Sequence, residues 1–376
     1  MQWWGYILII LKRSMSSVIS LIIVAHFLRW NTSVYGSYIF LLGIITPISE
    51  LSKFSSSKLI LSELLISDAS KIASIALMNQ LLLTLILCFV YVLYQDQSIL
   101  AVGFFKISQA IKDIFGFYGY RLLGKKYDLK TMKLSVVQLG IVTAASLLSQ
   151  NTYLVVSTIS LTYLTYSFYE FFLFRISRFL HIPSKLSYLS YANYGFNNFI
   201  NSVNNNTYRV VLKTYRPDVI IFVEVFTNIY KVLELLISSM LQTLSAKLRV
   251  LSRSTWRSVM NFLNRIYMLT ASIYLIVGIV SYILYPEYKV LICLMVLGRF
   301  FSTNLSPMKS ILQTKKRIKE QRNTYLIVTL FIGILLLSFL TTKNGRLLEL
   351  LLLIPALTMF WSTKYNLYKS FSVVAK

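Results

Sequence analysis

Cysteine and histidine are nearly missing from this chain of 376 residues, which has two of each: Cys88 and Cys293, His26 and His181. Both cysteines lie inside apolar runs, so they read as small hydrophobic residues and not as a disulfide framework. Neither histidine has partners at ligand spacing, which argues against a metal centre. Acidic residues are also scarce, 13 Asp and Glu against 38 Lys and Arg. No Gly-x-x-x-x-Gly-Lys-Ser/Thr run occurs, so nothing marks a nucleotide-driven machine. The sequence calls for no cofactor. Long polar segments are missing too, which leaves no room for a sizeable soluble domain.

What fills the chain is apolar. Hydrophobic residues make up 56%, aromatics 15% and charged residues only 14%, with a mean hydropathy of +0.65. Such values lie well outside the soluble globular range. A helix needs roughly 20 apolar residues to cross a bilayer. Hydropathy and breaks give candidate spans at 9–28, 34–52, 72–94, 98–118, 132–149, 152–174, 189–212, 217–243, 259–285, 288–308, 324–341 and 347–364. The first apolar run has no small-residue cleavage site after it and reads as a retained first span. The expected fold is therefore an all-α polytopic membrane protein with about 12 transmembrane helices. The longest polar connection, from Arg175 to Lys185 with Pro183 in it, divides the chain into six-helix bundles at 1–180 and 181–376. Two six-span halves with the site between them are a common transporter design.

The net charge of +25 would suggest nucleic acid in a soluble protein. In a membrane chain it orients the spans, and no nucleic-acid partner is expected. With the N-terminus in the cytoplasm, the inner connections and ends hold 26 Lys and Arg and the outer connections six. That asymmetry predicts both termini inside. The remaining six fall within spans: Lys106, Lys112, Arg209, Lys231, Arg265 and Arg299. Each costs roughly 2.5–3.5 kcal/mol at a lipid-facing helix centre, so they must face protein or water. Acidic residues within spans are fewer, Asp113, Glu224 and Glu234, with Glu50 and Glu170 near inner ends. This predicts a net-basic interior suited to an anionic cargo.

The stretch from Asn193 to Glu234 concentrates the polar chemistry. On a helix, Asn197, Asn201, Asn204, Asn205, Tyr208 and Arg209 recur at spacings of three and four and share a face. Phe196, Phe199, Ile200, Val203, Val210 and Val211 form the opposite one. Unpaired amides and a guanidinium are too costly against hydrocarbon, so the stripe is expected beside a water-filled cavity. Arg209 is a candidate phosphate ligand, with a structural salt bridge as the competing role. Lys231 has Glu234 three residues on and can pair with it. Lys106, Gln109 and Asp113 share a face, as a neutralised helix pair or a ligand contact. Arg265 shares a face with Asn261 toward the inner end, where a headgroup anchor is the alternative. Arg299 has no acidic neighbour at helical spacing and is the next candidate for the cavity. Glu224 and Glu234 are ion-coupling candidates, because a buried carboxylate can exchange a proton; pairing with Lys231 or Arg209 competes. Pro47, Pro307 and Pro355 fall within spans and are expected to kink them.

Two stretches resemble a known family. Leu11-Lys12-Arg13-Ser14, then Phe27-Leu28-Arg29-Trp30-Asn31-Thr32-Ser33-Val34-Tyr35-Gly36-Ser37-Tyr38, resembles the start of polysaccharide flippases of the MATE-like MOP superfamily. Asn205-Asn206-Thr207-Tyr208-Arg209 through Val219, Thr227-Asn228-Ile229-Tyr230-Lys231 and Leu244-Ser245-Ala246-Lys247 is similar to their seventh and eighth spans. Tyr208 stands where family members often have an acidic residue, and Ile220-Ile221-Phe222 replaces a second Gly-x-Tyr. The resemblance implies a MATE-like fold in the bacterial inner membrane. It also implies movement of an undecaprenyl-diphosphate-linked oligosaccharide repeat unit to the outer leaflet, for O-antigen or capsule assembly. Membrane lipids, a coupling proton or sodium ion and other polysaccharide-assembly membrane proteins would be its partners.

The residues suit that cargo: Arg and Lys can replace a diphosphate's hydration with charge-assisted hydrogen bonds, and Asn offers both donor and acceptor to sugar hydroxyls. The 26 tyrosines divide between sugar stacking and interfacial belts. A membrane-embedded polymerase or ligase is the enzymatic rival, but no outer connection exceeds about ten residues, too short for its acceptor loop. A multidrug antiporter of the same fold would prefer an acidic cavity. The sequence thus favours a transporter over an enzyme.

Overall fold

The structure is a computed structural model that describes residues 15, 18–53, 66–173, 185–243, 255–314 and 318–372. Twelve long helices account for nearly all of them, and no strand occurs among the described residues. In chain order these are α1 Val18–Trp30, then α2 Thr32–Ser52, α3 Ile66–Tyr94, α4 Gln97–Leu123, α5 Lys125–Leu148, α6 Thr152–Leu173 and α7 Lys185–Tyr215. After them come α8 Pro217–Thr243, α9 Trp256–Leu284, α10 Lys289–Thr314, α11 Ile318–Thr342 and α12 Ile354–Ser372. Over the described residues each expected span falls on one of these helices, the twelfth beginning in a short helix and turn ahead of α12, while residues 9–14, 16 and 17 of the first lie outside the described ones; the all-α polytopic fold stands.

Six described helices are long and apolar enough to cross a membrane by length and composition, or seven with the bent pair that ends in α12. Among those that fall short are α4, α7 and α8. They carry Lys106, the asparagine stripe with Arg209, and Glu224 with Lys231. The side chains that mark a candidate site therefore also weaken the hydrophobic signal of the helix that holds it. The exposed flank of α3, with Leu81, Leu82, Leu85, Phe89 and Val92, shows the opposite character. An apolar face that no protein covers is what a lipid-facing helix presents.

Short turns join neighbouring helices. Asn31 alone separates α1 from α2, and Arg216 alone separates α7 from α8. Gly124, at φ 57°, allows the sharp turn from α4 to α5. Before α4, the Asp96 carboxylate accepts the Ser98 backbone N–H at 2.8 Å. Hydrogen bonds from Ser98 hold that carboxyl below its ordinary range. Its capping contribution is thus in place at neutral pH and is lost as acid protonates it.

The described residues form two compact units, Met1–Val210 and Val211–Lys376, with the division falling inside α7. In the first, α4 is the hub, packed against α2, α3, α5 and α6. Ile72, Ala73 and Ala76 of α3 meet Ile114, Phe115 and Tyr118 of α4 in an enclosed cluster. In the second unit α10 takes the same part, packed against α8, α9, α11 and α12. The pattern repeats at an offset of six helices, including the contacts of α5 with α6 and of α11 with α12.

The twelfth span departs from a plain helix. A short helix at Arg346–Glu349 and a 3₁₀ turn at Leu350–Leu352 precede α12, with a bend of 41°. Pro355, the second residue of α12, lacks the N–H that would carry the helix through, so the expected kink becomes a break. Gly298 of α10 lies directly against it: a Cβ there would sit 2.1 Å from the Leu352 carbonyl oxygen. Gly298→Ala is expected to cost about 1–3 kcal/mol by overpacking. Gly140→Ala, where a Cβ would meet nothing within 4 Å, should be neutral or gain about 0.5–1 kcal/mol. Thermal unfolding of both purified variants checks this, and an unchanged Gly298→Ala midpoint would refute the close approach.

Candidate functional site

On α7 the buried face runs through Asn197, Asn204, Tyr208 and Arg209, with Asn201 half-buried. Asn205 lies elsewhere: it is exposed, and its neighbour Asn206 is enclosed instead. A step of 100° per residue separates the two, enough to exchange their surroundings. The Asn206 amide is fixed from below, its Nδ2 donating to the Ser202 carbonyl at 2.7 Å and standing 3.2 Å from Ser202 Oγ. This turns Oδ1 toward Arg209, whose Nη1 donates to it at 2.6 Å. The guanidinium carbon also lies 5.6 Å from the centre of the Tyr208 ring. Sequence reasoning left Asn206 out of the stripe, although the spacing from Ser202 to Asn206 to Arg209 was there to read. On the supposedly opposite face, Ile200 and Val211 are buried while Phe196 is 49% exposed.

α7 meets α2 at Gly43. A Cβ on that glycine would come within 2.9 Å of Val210 Cγ2 and 3.1 Å of Arg209 Cβ. The backbone that carries Arg209 therefore rests on α2 where α2 has no side chain.

The hub helix α4 gathers more charge. Lys106 donates to Gln109 Oε1 at 3.2 Å, within its own helix. Asp113 does not pair with Lys106 as the shared face suggested; it turns to α2, where Lys53 Nζ stands 3.4 Å from its Oδ2 and 2.7 Å from Glu50 Oε1. Burial alone would lower the Lys53 pKa, but the two carboxylates outweigh it and raise it, so Lys53 stays charged. The end of α2 is also tied to α3, because Asn79 donates to the Ser52 carbonyl and Gln80 to the Ser52 hydroxyl. Lys112 points the other way. Its Nζ donates to Gln138 Oε1 of α5 at 3.2 Å and lies 4.4 and 4.8 Å from the ring centres of Tyr163 and Tyr166 on α6. Two ring faces and an amide oxygen suit a lysine withdrawn from water. Deeper in this unit, Tyr127 donates to the fully buried Glu170.

In the second unit α8 buries Glu224, Thr227 and Asn228, and Asn228 Nδ2 donates back to the Glu224 carbonyl at 2.8 Å. Neighbouring α9 and α10 exchange hydrogen bonds through Thr270 with Asn304 and Tyr274 with Thr303. Arg299 is half-buried on α10, and its charge reaches the Tyr230 hydroxyl of α8. Arg265 is exposed on α9, as is Asn261, so the two share an outer face. Lys231 and Glu234 lie on α8, but their side chains fall outside the described ones. Arg216, between α7 and α8, donates to Asp218 at 3.1 and 3.2 Å and to Glu349 at 2.8 Å. Asp218, joined by Glu349, holds this guanidinium charged beyond its ordinary range.

The expected net-basic interior is not what the enclosed charges show. Among the described residues, the charges below a tenth exposure are Glu170, Glu224, Asp128, Glu349 and, of the cations, Arg209. Lys53, Lys106, Lys112 and Arg299 sit at half-buried positions. Long basic side chains carry their charge toward the edge of a packed region, which short carboxylates cannot do.

Neither a family model nor a curated protein matches the sequence. Solved structures do. A MATE crystal structure in the straight conformation is 13% identical, with a TM-score of 0.65 over 98% of this chain and 94% of that one. The fold is that of the MATE transporters. An outward-facing multidrug-resistance MATE transporter of the MOP superfamily is 11% identical at a TM-score of 0.64, over 97% and 95% of the two chains. A MOP superfamily transporter from Pyrococcus furiosus is 12% identical at 0.56, over 99% and 95%. That protein is described as having a binding pocket of reverse polarity that suggests a different function. At these identities the likeness extends to the fold.

Two adjacent asparagines give a direct test of the α7 geometry. Asn206→Leu, which removes the acceptor from a buried guanidinium, should cost about 1–3 kcal/mol. Asn205→Leu should stay within about 0.5 kcal/mol. Chemical unfolding of the two purified variants checks this; equal losses would refute the described orientation.

Proposed function

We infer that this protein is a transporter of an anionic, lipid-linked cargo: an undecaprenyl-diphosphate-linked oligosaccharide repeat unit carried from the cytoplasmic to the outer leaflet of the bacterial inner membrane. The observation that carries this reading is Arg209, a buried guanidinium on a polar helix face, oriented by Asn206. A guanidinium is the side chain best matched to a diphosphate, because its planar fork forms charge-assisted hydrogen bonds that are strong where water is scarce. Lys106 and Arg299 would add charge, Asn197, Asn201 and Asn204 would meet sugar hydroxyls, and exposed Arg265 would anchor headgroups. Glu224 is proposed as a coupling carboxylate of the second unit, with Glu234 and Lys231 on the same helix. The charge asymmetry supports cytoplasmic termini, six-helix halves at 1–180 and 181–376 organise the transport cycle, and the product would serve O-antigen or capsule assembly.

A multidrug reading has one observation in its favour. Glu224 and Glu170 are enclosed carboxylates of the kind a cationic cargo would seek. The two separate in one experiment, in which lipid-linked repeat units are measured on the cytoplasmic leaflet of cells lacking the protein and re-expressing wild type or Arg209→Ala. The anionic reading expects complete units to accumulate, wild type to clear them, and Arg209→Ala to lose about tenfold or more of that activity, equal to about 1.4 kcal/mol. Normal export of repeat units in the deleted strain, with raised sensitivity to lipophilic cations, would replace it with the multidrug reading.

A further inference from the structure

The start of α9 and the end of α12 lie together in the second unit and carry charge that the protein does not balance. Neither helix contains an Asp or Glu, and α10, packed against both, has none either. Basic residues are present: Arg257 and Arg265 on α9, Lys364 and Lys369 on α12. The single acidic residue of α11, Glu320, is met from the other flank of α12, where Asn366 donates to its main-chain carbonyl at 3.2 Å. Asn366 stands two residues on from Lys364, about 200° round the helix.

Aromatic rings fix how the two helices meet. Trp256 lies 5.4 Å from Tyr368 and 5.9 Å from Phe371, and Tyr267 lies 5.6 Å from Phe360, centre to centre. The helices are therefore antiparallel here, with Phe360, Lys364, Tyr368 and Phe371 recurring at spacings of four and three along the α12 side of the seam. Lys364 takes a place between two aromatic contacts. It is half-buried, and its Nζ lies 5.0 Å from the centre of the Trp361 ring. Among the described residues no oxygen accepts its hydrogens, and exposed Arg257, next to Trp256, has no acceptor either. Since Tyr368 is opposite Trp256, one turn of helix separates the two cations along the seam, about 6 Å.

We propose that this seam is a binding site for an acidic phospholipid of the leaflet that the charge asymmetry makes cytoplasmic, with the headgroup phosphate held by Lys364 and Arg257. The surroundings fit a lipid. Trp361, Tyr365 and Tyr368 are exposed beside the cations, and further along α9 the exposed flank turns apolar at Met268 and Leu269. Amphipathic rings and basic groups next to an apolar flank are the profile of a membrane–water interface. The phosphate oxygens accept from the Lys364 ammonium and the Arg257 guanidinium, as charge-assisted hydrogen bonds. Asn261 and Asn264, exposed on the same flank of α9 as Arg257, offer donors to the ester oxygens. Charge complementarity selects the headgroup: a zwitterionic lipid brings its own cation, whereas an acidic one supplies the anion that neither helix contains. Arg265 stands about 80° further round α9 than Arg257 and lies outside the seam. The ligand is a resident lipid and not the cargo, so the site is independent of what the protein carries.

The test uses the full chain with Trp3→Phe, Trp4→Phe, Trp30→Phe and Trp361→Phe, which leaves Trp256 as the sole tryptophan and keeps a ring beside Lys364. This parent protein is reconstituted in mixed vesicles of phosphatidylcholine and phosphatidylglycerol, with one or the other brominated. Quenching of Trp256 fluorescence then gives the ratio of the two lipids at the seam. The expected preference for phosphatidylglycerol is about fivefold or more. It should fall to near equality in Lys364→Gln, and also in about 1 M salt, where the screening length is about 3 Å. Lys364→Arg should keep it. Arg257→Gln, at an exposed position, should lower it as well and carries the test if Lys364→Gln does not fold. Equal quenching by the two lipids in the parent protein, or a preference that survives both glutamine substitutions together, would overturn the proposal. So would the same preference read at Trp30, in a chain that keeps that tryptophan alone, because it would then belong to the net charge and not to the seam.

Discussion

A charge taken out of water must be answered by the protein around it, and in this chain that requirement decides which helix sits at the centre of a bundle. α4 carries Lys106, Lys112 and Asp113 within two turns, more than a lipid-facing helix can bear. Its place as hub gives it four neighbours, and the partners come from them: Lys53 from α2, Gln138 from α5, the rings of Tyr163 and Tyr166 from α6. The outward helices have the converse composition. α3 exposes a continuous leucine-rich flank and turns Ser70, Ser74, Asn79 and Gln80 inward. Polarity sorts the helices by depth in this protein, much as hydrophobicity sorts them in water.

The same sorting recurs six helices later with different chemistry. α10 is the hub of the second unit; it bonds Thr303 and Asn304 to α9 and carries Arg299 and Lys309 as half-buried cations, with no carboxylate to match Asp113. The packing plan is shared and the charges are not. One packing plan can carry different interior groups, which is why architecture by itself does not assign a cargo.

Much of this was legible in the sequence because bilayer thickness imposes a strong length signal. The expected spans coincide with the helices, and charge alternation kept weak spans such as α7 in the count. Finer features were lost where a choice depends on partners distant in sequence. Asn205 and Asn206 are equivalent by composition, and only the packing of α7 shows which is enclosed. Lys106 and Asp113 share a face of α4, but Lys53, sixty residues before Asp113, takes the carboxylate. Lys112 was visible as a charge within a span, though nothing local announces two tyrosine faces from α6. Pro355 signalled a kink; the short helix and 3₁₀ turn before it had no separate mark.

The seam between α10 and the broken twelfth span is made by main chain against main chain, where the missing side chain of Gly298 admits the Leu352 carbonyl. Contacts of that kind place almost no demand on the identity of surrounding residues, which are free to drift so long as one position remains bare. A fold built on such seams can keep its shape while its sequence moves beyond recognition. That is the condition of a chain whose structural neighbours share its architecture at 11–13% identity.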